Sequence, residues 1–152
     1  MTTNVKRGTA PKTLADKRRD QVSDLLESRP VEAVSVAKSF FDEYPDDDDS
    51  LVLYLRASVG ASLSGERGAI PEDLCNLAGR AAENRFFNPE IIALFVASKI
   101  VSGKRLLDED IASLRRAYIL DPRITVKTVE PACRGQSSRV CGAVEKAFKG
   151  SK

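Results

Sequence analysis

Four consecutive aspartates, Asp46 to Asp49, sit in "YPDDDDSLVLYLRASVGASLSG" (44–65) and run directly into an apolar segment. A calcium loop needs alternating oxygen ligands, a glycine at its sixth position and a glutamate at its twelfth. Counted from Asp46, those positions hold Leu51 and Ala57, so no specific metal loop is expected. A helix start accounts for the run instead. The unpaired amides and partial positive charge of a helix N-terminus favour nearby carboxylates by about 0.3–1 kcal/mol each. Asp49 or Ser50 is the natural N-cap. Four acids exceed what capping needs, which leaves an exposed acidic corner for a basic partner or the protein's own tails.

The other chemistry-bearing residues narrow the field further. The chain has no histidine, which removes Ser-His-Asp and Cys-His nucleophile systems as usually built and every zinc site that needs imidazole. Carboxylate, lysine or tyrosine chemistry stays open, but no constellation of such residues stands out. Three cysteines, Cys75, Cys133 and Cys141, lack C-x-x-C spacing, so neither a zinc ribbon nor a thioredoxin motif is available. Reduced thiols in an intracellular protein are the expected state, although Cys133 and Cys141 could meet across a turn as a disulfide. Gly60, Gly65 and Gly68 superficially resemble a phosphate loop, but the closing Gly-Lys-Ser/Thr is missing. No enzyme activity, cofactor or metal is expected.

Charge is unevenly placed around a net of +2. Residues 1–20 carry six basic and two acidic groups, and residues 123–152 carry seven and two. The middle, 21–122, holds eleven basic and eighteen acidic groups. Basic ends on an acidic body suit solubilising tails, or contact with something anionic. Nucleic acid is therefore a possible partner through the tails, although few aromatics accompany these charges to form stacking platforms. The apolar runs "LVLYL" and "IIALFVA" are too short to span a bilayer, and the N-terminal stretch lacks the apolar core of a secretory signal. A cytoplasmic, intracellular location with no membrane partner is the expectation.

The elements that must position these residues are helical. Apolar residues recur at helical spacing and no alternating runs flanked by hairpin turns occur. The periodicity predicts helices over about 13–27, 30–44, 50–64, 71–87, 90–103 and 107–120. Residues 123–136 read as irregular, and a last amphipathic helix covers about 137–149, with Val140, Val144 and Phe148 on one side. Residues 1–11 read as a flexible basic tail. The organisation expected over 12–149 is a single all-α domain of antiparallel helical hairpins, at 12–44, 50–87 and 90–121. Each hairpin has a wide apolar face that it must bury on a neighbour, and the terminal helix caps the stack. A solenoid and a compact bundle both satisfy this pattern.

An internal repeat supports stacking. Setting 51–65 over 91–105 aligns Tyr54 with Leu94, Leu55 with Phe95, Ala57 with Ala97, and Ser58 with Ser98. The second unit, 91–124, is 34 residues long, with Leu94, Ala97, Ser98 and Val101 at first-helix packing positions. Its ending "LRRAYILDP" is similar to the "A-x-x-L-D-P" close of tetratricopeptide repeats, through Ala117, Leu120, Asp121 and Pro122. The resemblance covers about half of the chain and departs from the family in lacking a Trp or a Gly-Tyr pair in the first helix. It implies that first helices line a concave, partner-binding face. The groove positions it implies are Val52, Leu55, Arg56 and Val59, then Ile92, Phe95, Val96 and Lys99. Arg56 and Lys99 would recognise an acidic or carboxylate-bearing segment of another protein. The implied function is a non-enzymatic protein-interaction module, such as an adaptor, chaperone-like protein or assembly factor. The alternative is a basic-tailed nucleic-acid binder, of a ribonucleoprotein or viral structural kind.

Overall fold

Prolines open helices in this chain. Pro30, Pro89 and Pro122 each occupy a first helical position, where the missing N–H has no intrahelical partner to lose and the fixed φ suits the helix. At two of these steps the residue before proline completes the start. Asn88 Oδ1 accepts the Ile91 amide at 3.1 Å, and Asp121 Oδ1 accepts the Ile124 amide at 3.2 Å. Each side chain caps an otherwise orphaned donor.

The computed structural model describes residues 11–65, 72–84, 88–134 and 138–149. They form eight helices and no strand: α1 (Lys12–Ser28), α2 (Pro30–Glu43), α3 (Asp48–Leu63), α4 (Glu72–Asn84), α5 (Pro89–Val101), α6 (Asp108–Leu120), α7 (Pro122–Arg134) and α8 (Ser138–Lys149). The protein is all-α. Apart from Pro11, the expected basic tail of residues 1–11 lies outside the described residues, as do 66–71 of the loop after α3 and Arg85 to Phe87. No helix among the described residues is long and apolar enough to cross a membrane.

The chain divides into two compact units, Met1–Ala69 and Ile70–Lys152. The two helices of the expected hairpin 50–87 therefore belong to different units. In the first unit α1 packs on α2 and α3, and α2 packs on α3. Val22, Ala33, Ala37, Phe40 and Leu55 are fully enclosed. The near-continuous apolar stretch of α3 is buried on several sides, through Leu51, Leu53, Tyr54, Leu55, Ala57 and Val59. Its start differs from the expected one. The N-cap is Asp47, and Ser50 lies in the first turn. There the Ser50 hydroxyl, fully buried, is shared between the Tyr44 carbonyl at 2.5 Å and the Asp47 carbonyl at 2.9 Å, which ties the end of α2 to the start of α3. Ser50→Ala is expected to cost about 1 kcal/mol, because the carbonyls lose this donor without gaining another. A lower urea midpoint at unchanged slope would register it, and an unchanged midpoint would refute the tie.

In the second unit α5 packs on α4, α6 and α7, while α6 packs on α7 and α8. First helix thus lies against first and second against second in the successive pairs α5–α6 and α7–α8. Helix α7 corrects the irregular reading of 123–136. Thr125, Val129, Ala132 and Cys133 form its buried stripe. Two features hid it. Its first half is β-branched (Ile124, Thr125, Val126, Thr128, Val129), which lowers helix propensity. Pro131 also stands inside the helix and removes one backbone hydrogen bond. Burial of the stripe against α5 and α6 overrides both. The terminal α8 packs on α6 and α7, with Val144 and Ala147 buried. Phe148 is half-buried and stacks on Tyr118 of α6 at 5.1 Å between centroids.

Candidate functional site

Helix α5 has almost no polar face, and its few polar groups determine what the second unit presents. Its C-terminus closes in a Schellman motif: Gly103 adopts φ +75°, the Gly103 amide donates to the Ile100 carbonyl at 3.1 Å, and the Lys104 amide donates to the Lys99 carbonyl at 2.8 Å. A left-handed residue is required at this place, which glycine supplies without steric cost. The reversal returns the chain so that the start of α6 meets the end of α5. Lys99 Nζ and Asp110 Oδ2 pair there at 2.5 Å, with side chains only 12% and 7% exposed.

The same Asp110 oxygen accepts the Leu107 amide at 2.8 Å. Asp110 sits at the third position of α6, so its carboxylate satisfies an orphaned donor and faces the positive end of the helix. Of the three acids in the first turn of α6, Asp108, Glu109 and Asp110, it is Asp110 that accepts this amide. Lys99 also lies over the Phe95 ring, 5.5 Å from its centroid, a favourable cation–π distance. The ring edge rests on Gly79 of α4, where a Cβ would come within 3.1 Å of Phe95 Cε1. Glycine lets α4 approach the ring this closely.

Around this locked assembly lies a cleft of about 710 Å³, formed wholly within the second unit. Phe95, Lys99 and Asp110 line it together with Arg80 and Glu83 of α4 and Lys104 of the connecting turn. Arg80 and Glu83 are exposed. Lys104 and Arg116, another lining residue, are half-buried and engaged by other groups. Cys75 and Ser98 lie deeper, and their polar groups are occupied. Ser98 donates to the Phe95 carbonyl at 2.7 Å, and the Cys75 sulfur lies 3.4 Å from the Ser98 hydroxyl. With the serine proton committed, the thiol is left to donate to the serine oxygen. Among the described residues, no group of three His, Cys, Asp or Glu side chains is placed to hold a metal ion.

Of the eight groove positions implied by the repeat resemblance, Phe95 and Lys99 line this cleft. Leu55, Ile92 and Val96 are fully buried and Val59 is 5% exposed, so these four are core side chains. Val52 and Arg56 are half-buried on α3, and Arg56 is engaged by another group. Lys99, expected to meet a partner's carboxylate, meets Asp110. Sequence reasoning missed Arg80, Glu83 and Asp110. The i, i+3 and i, i+4 spacing of Asn76, Gly79, Arg80 and Glu83, which sets them on one polar stripe of α4, was the available signal.

No known protein family, curated protein or solved structure matches the chain.

Proposed function

We propose that the chain is a non-enzymatic protein-interaction module whose α4–α6 cleft receives an acidic, carboxylate-bearing segment of another protein. The observation that carries this reading is the division of labour inside the cleft. Lys99 and Asp110 neutralise one another at its base, whereas Arg80 is exposed at its wall. A guanidinium with its fork open to solvent suits bidentate pairing with a carboxylate. Phe95 and Leu107, the latter 46% exposed, add apolar surface for the neighbouring side chains. The in-register packing of α5–α6 on α7–α8 supports a stacked-hairpin scaffold of the kind that tetratricopeptide repeats build.

A displayed random-peptide library panned against the full chain tests this reading. Enriched sequences are expected to carry Asp or Glu, and Arg80→Glu is expected to weaken the selected peptides at least about tenfold, the scale of one charged contact reversed. Loss of an exposed arginine should leave thermal stability within about 0.5 kcal/mol. Peptides without acidic residues, or binding indifferent to Arg80→Glu, would contradict it. The basic termini support nucleic acid as the competing ligand. That reading requires a shift with generic RNA or DNA that weakens steeply with salt.

A further inference from the structure

We propose that Cys133 and Cys141 are a thiol–disulfide pair that ties α7 to α8 when a low-molecular-weight disulfide, such as oxidised glutathione, oxidises them. Cys133 lies in the last turn of α7 and Cys141 in the first turn of α8, two helices that pack on one another. Both thiols are free. The Cys141 thiol donates to the Cys133 carbonyl at 2.8 Å. Helix packing therefore already holds the Cys141 sulfur against the Cys133 residue.

Their environments set the order of events. Cys133 is 6% exposed, and burial pushes its thiol from 9.0 up to about 12, helped by the neighbouring Cys141 and by the nearby Glu145 and Glu130 charges. Cys141 is half-buried and the more accessible of the two residues. The Cys141 thiolate attacks one sulfur of oxidised glutathione, breaking its S–S bond and releasing one glutathione thiolate. The Cys133 sulfur, as it gives up its proton to solvent, then attacks the Cys141 sulfur of the mixed disulfide and expels the second glutathione. Two protein thiols lose two electrons and two protons, and one oxidised glutathione becomes two reduced ones. The poor acidity of Cys133 makes this second step slow, but it is intramolecular between adjacent groups. The chemistry is independent of what the cleft binds.

The test incubates the full chain across graded ratios of reduced to oxidised glutathione, then blocks free thiols and reads intact mass and a peptide map. The expected product is about 2 Da lighter than the reduced chain before blocking, for two hydrogens lost, and contains a Cys133–Cys141 cross-linked peptide. Cys75→Ser should close the same ring, whereas Cys133→Ser should stop as a glutathione adduct on Cys141. The oxidised wild type should melt higher by roughly 5 °C or more, because the ring restricts the unfolded chain. A persistent adduct in the wild type, three free thiols at the most oxidising ratio, a cross-link through Cys75, or a closed ring with unchanged melting would each overturn the pair.

Discussion

Asp110→Ala is expected to lower the free energy of unfolding by about 3–5 kcal/mol, the cost of removing one member of a buried ion pair. The carboxylate serves three groups at once: the Lys99 ammonium, the Leu107 amide and the positive end of α6. Its removal strands a cation whose side chain is only 12% exposed. The reverse change, Lys99→Met, should cost less, about 1.5–3 kcal/mol, the net value of a charged hydrogen bond. Asp110 then keeps its amide and the helix dipole, and the methionine stem still packs on Phe95. The asymmetry between the two variants is the informative result. Equal losses would mean that the pair acts only through its mutual attraction, without the capping role of Asp110. Urea denaturation of both variants and of the double variant Lys99→Met/Asp110→Leu provides the comparison, the double variant being expected to recover part of the loss.

Ile92→Ala is expected to cost about 2–5 kcal/mol, the range for truncating an enclosed aliphatic side chain and leaving a cavity. Ile92 is fully buried on α5, a helix gripped by α4, α6 and α7, so neighbours cannot easily collapse into the space. The same residue is a groove position in the repeat resemblance, where its truncation would weaken a partner and spare the fold. Melting and peptide affinity measured on one preparation separate the two. The expected result is a large loss of stability with the affinity of the folded protein retained. A stable variant with lost affinity would return Ile92 to the binding face.

What the sequence made legible follows from where its signals are local. Pro30 and Pro89 mark helix starts, and Gly103 marks a helix end, because backbone sterics act within a few residues. The all-α class followed from apolar periodicity that no strand pattern interrupts. Helix α7 was illegible because its local propensity and Pro131 both argue against helix, and only burial of Thr125 and Val129 against other helices decides otherwise. The binding surface was partly legible for a related reason. Ile92 and Val96 look equivalent to Phe95 on a helical wheel, but α5 is enclosed on three sides, which leaves the Phe95–Lys99 edge facing the cleft. Asp110 reaches Lys99 across eleven residues of chain, a distance that no window of local pattern spans. Arg80 carried no signal beyond a polar stripe.

The most direct measurement of the central claim is an amide-resolved NMR titration of the full chain with an acidic peptide selected from the library. The amides of Gly79, Arg80, Phe95, Lys99 and Lys104 are expected to shift in a saturable, one-site manner, and Arg80→Glu should need at least about ten times more peptide to reach half-saturation. A saturable titration whose shifts fall on α7 and α8, with the α4–α6 cleft unmoved, would contradict the account and place the binding surface elsewhere.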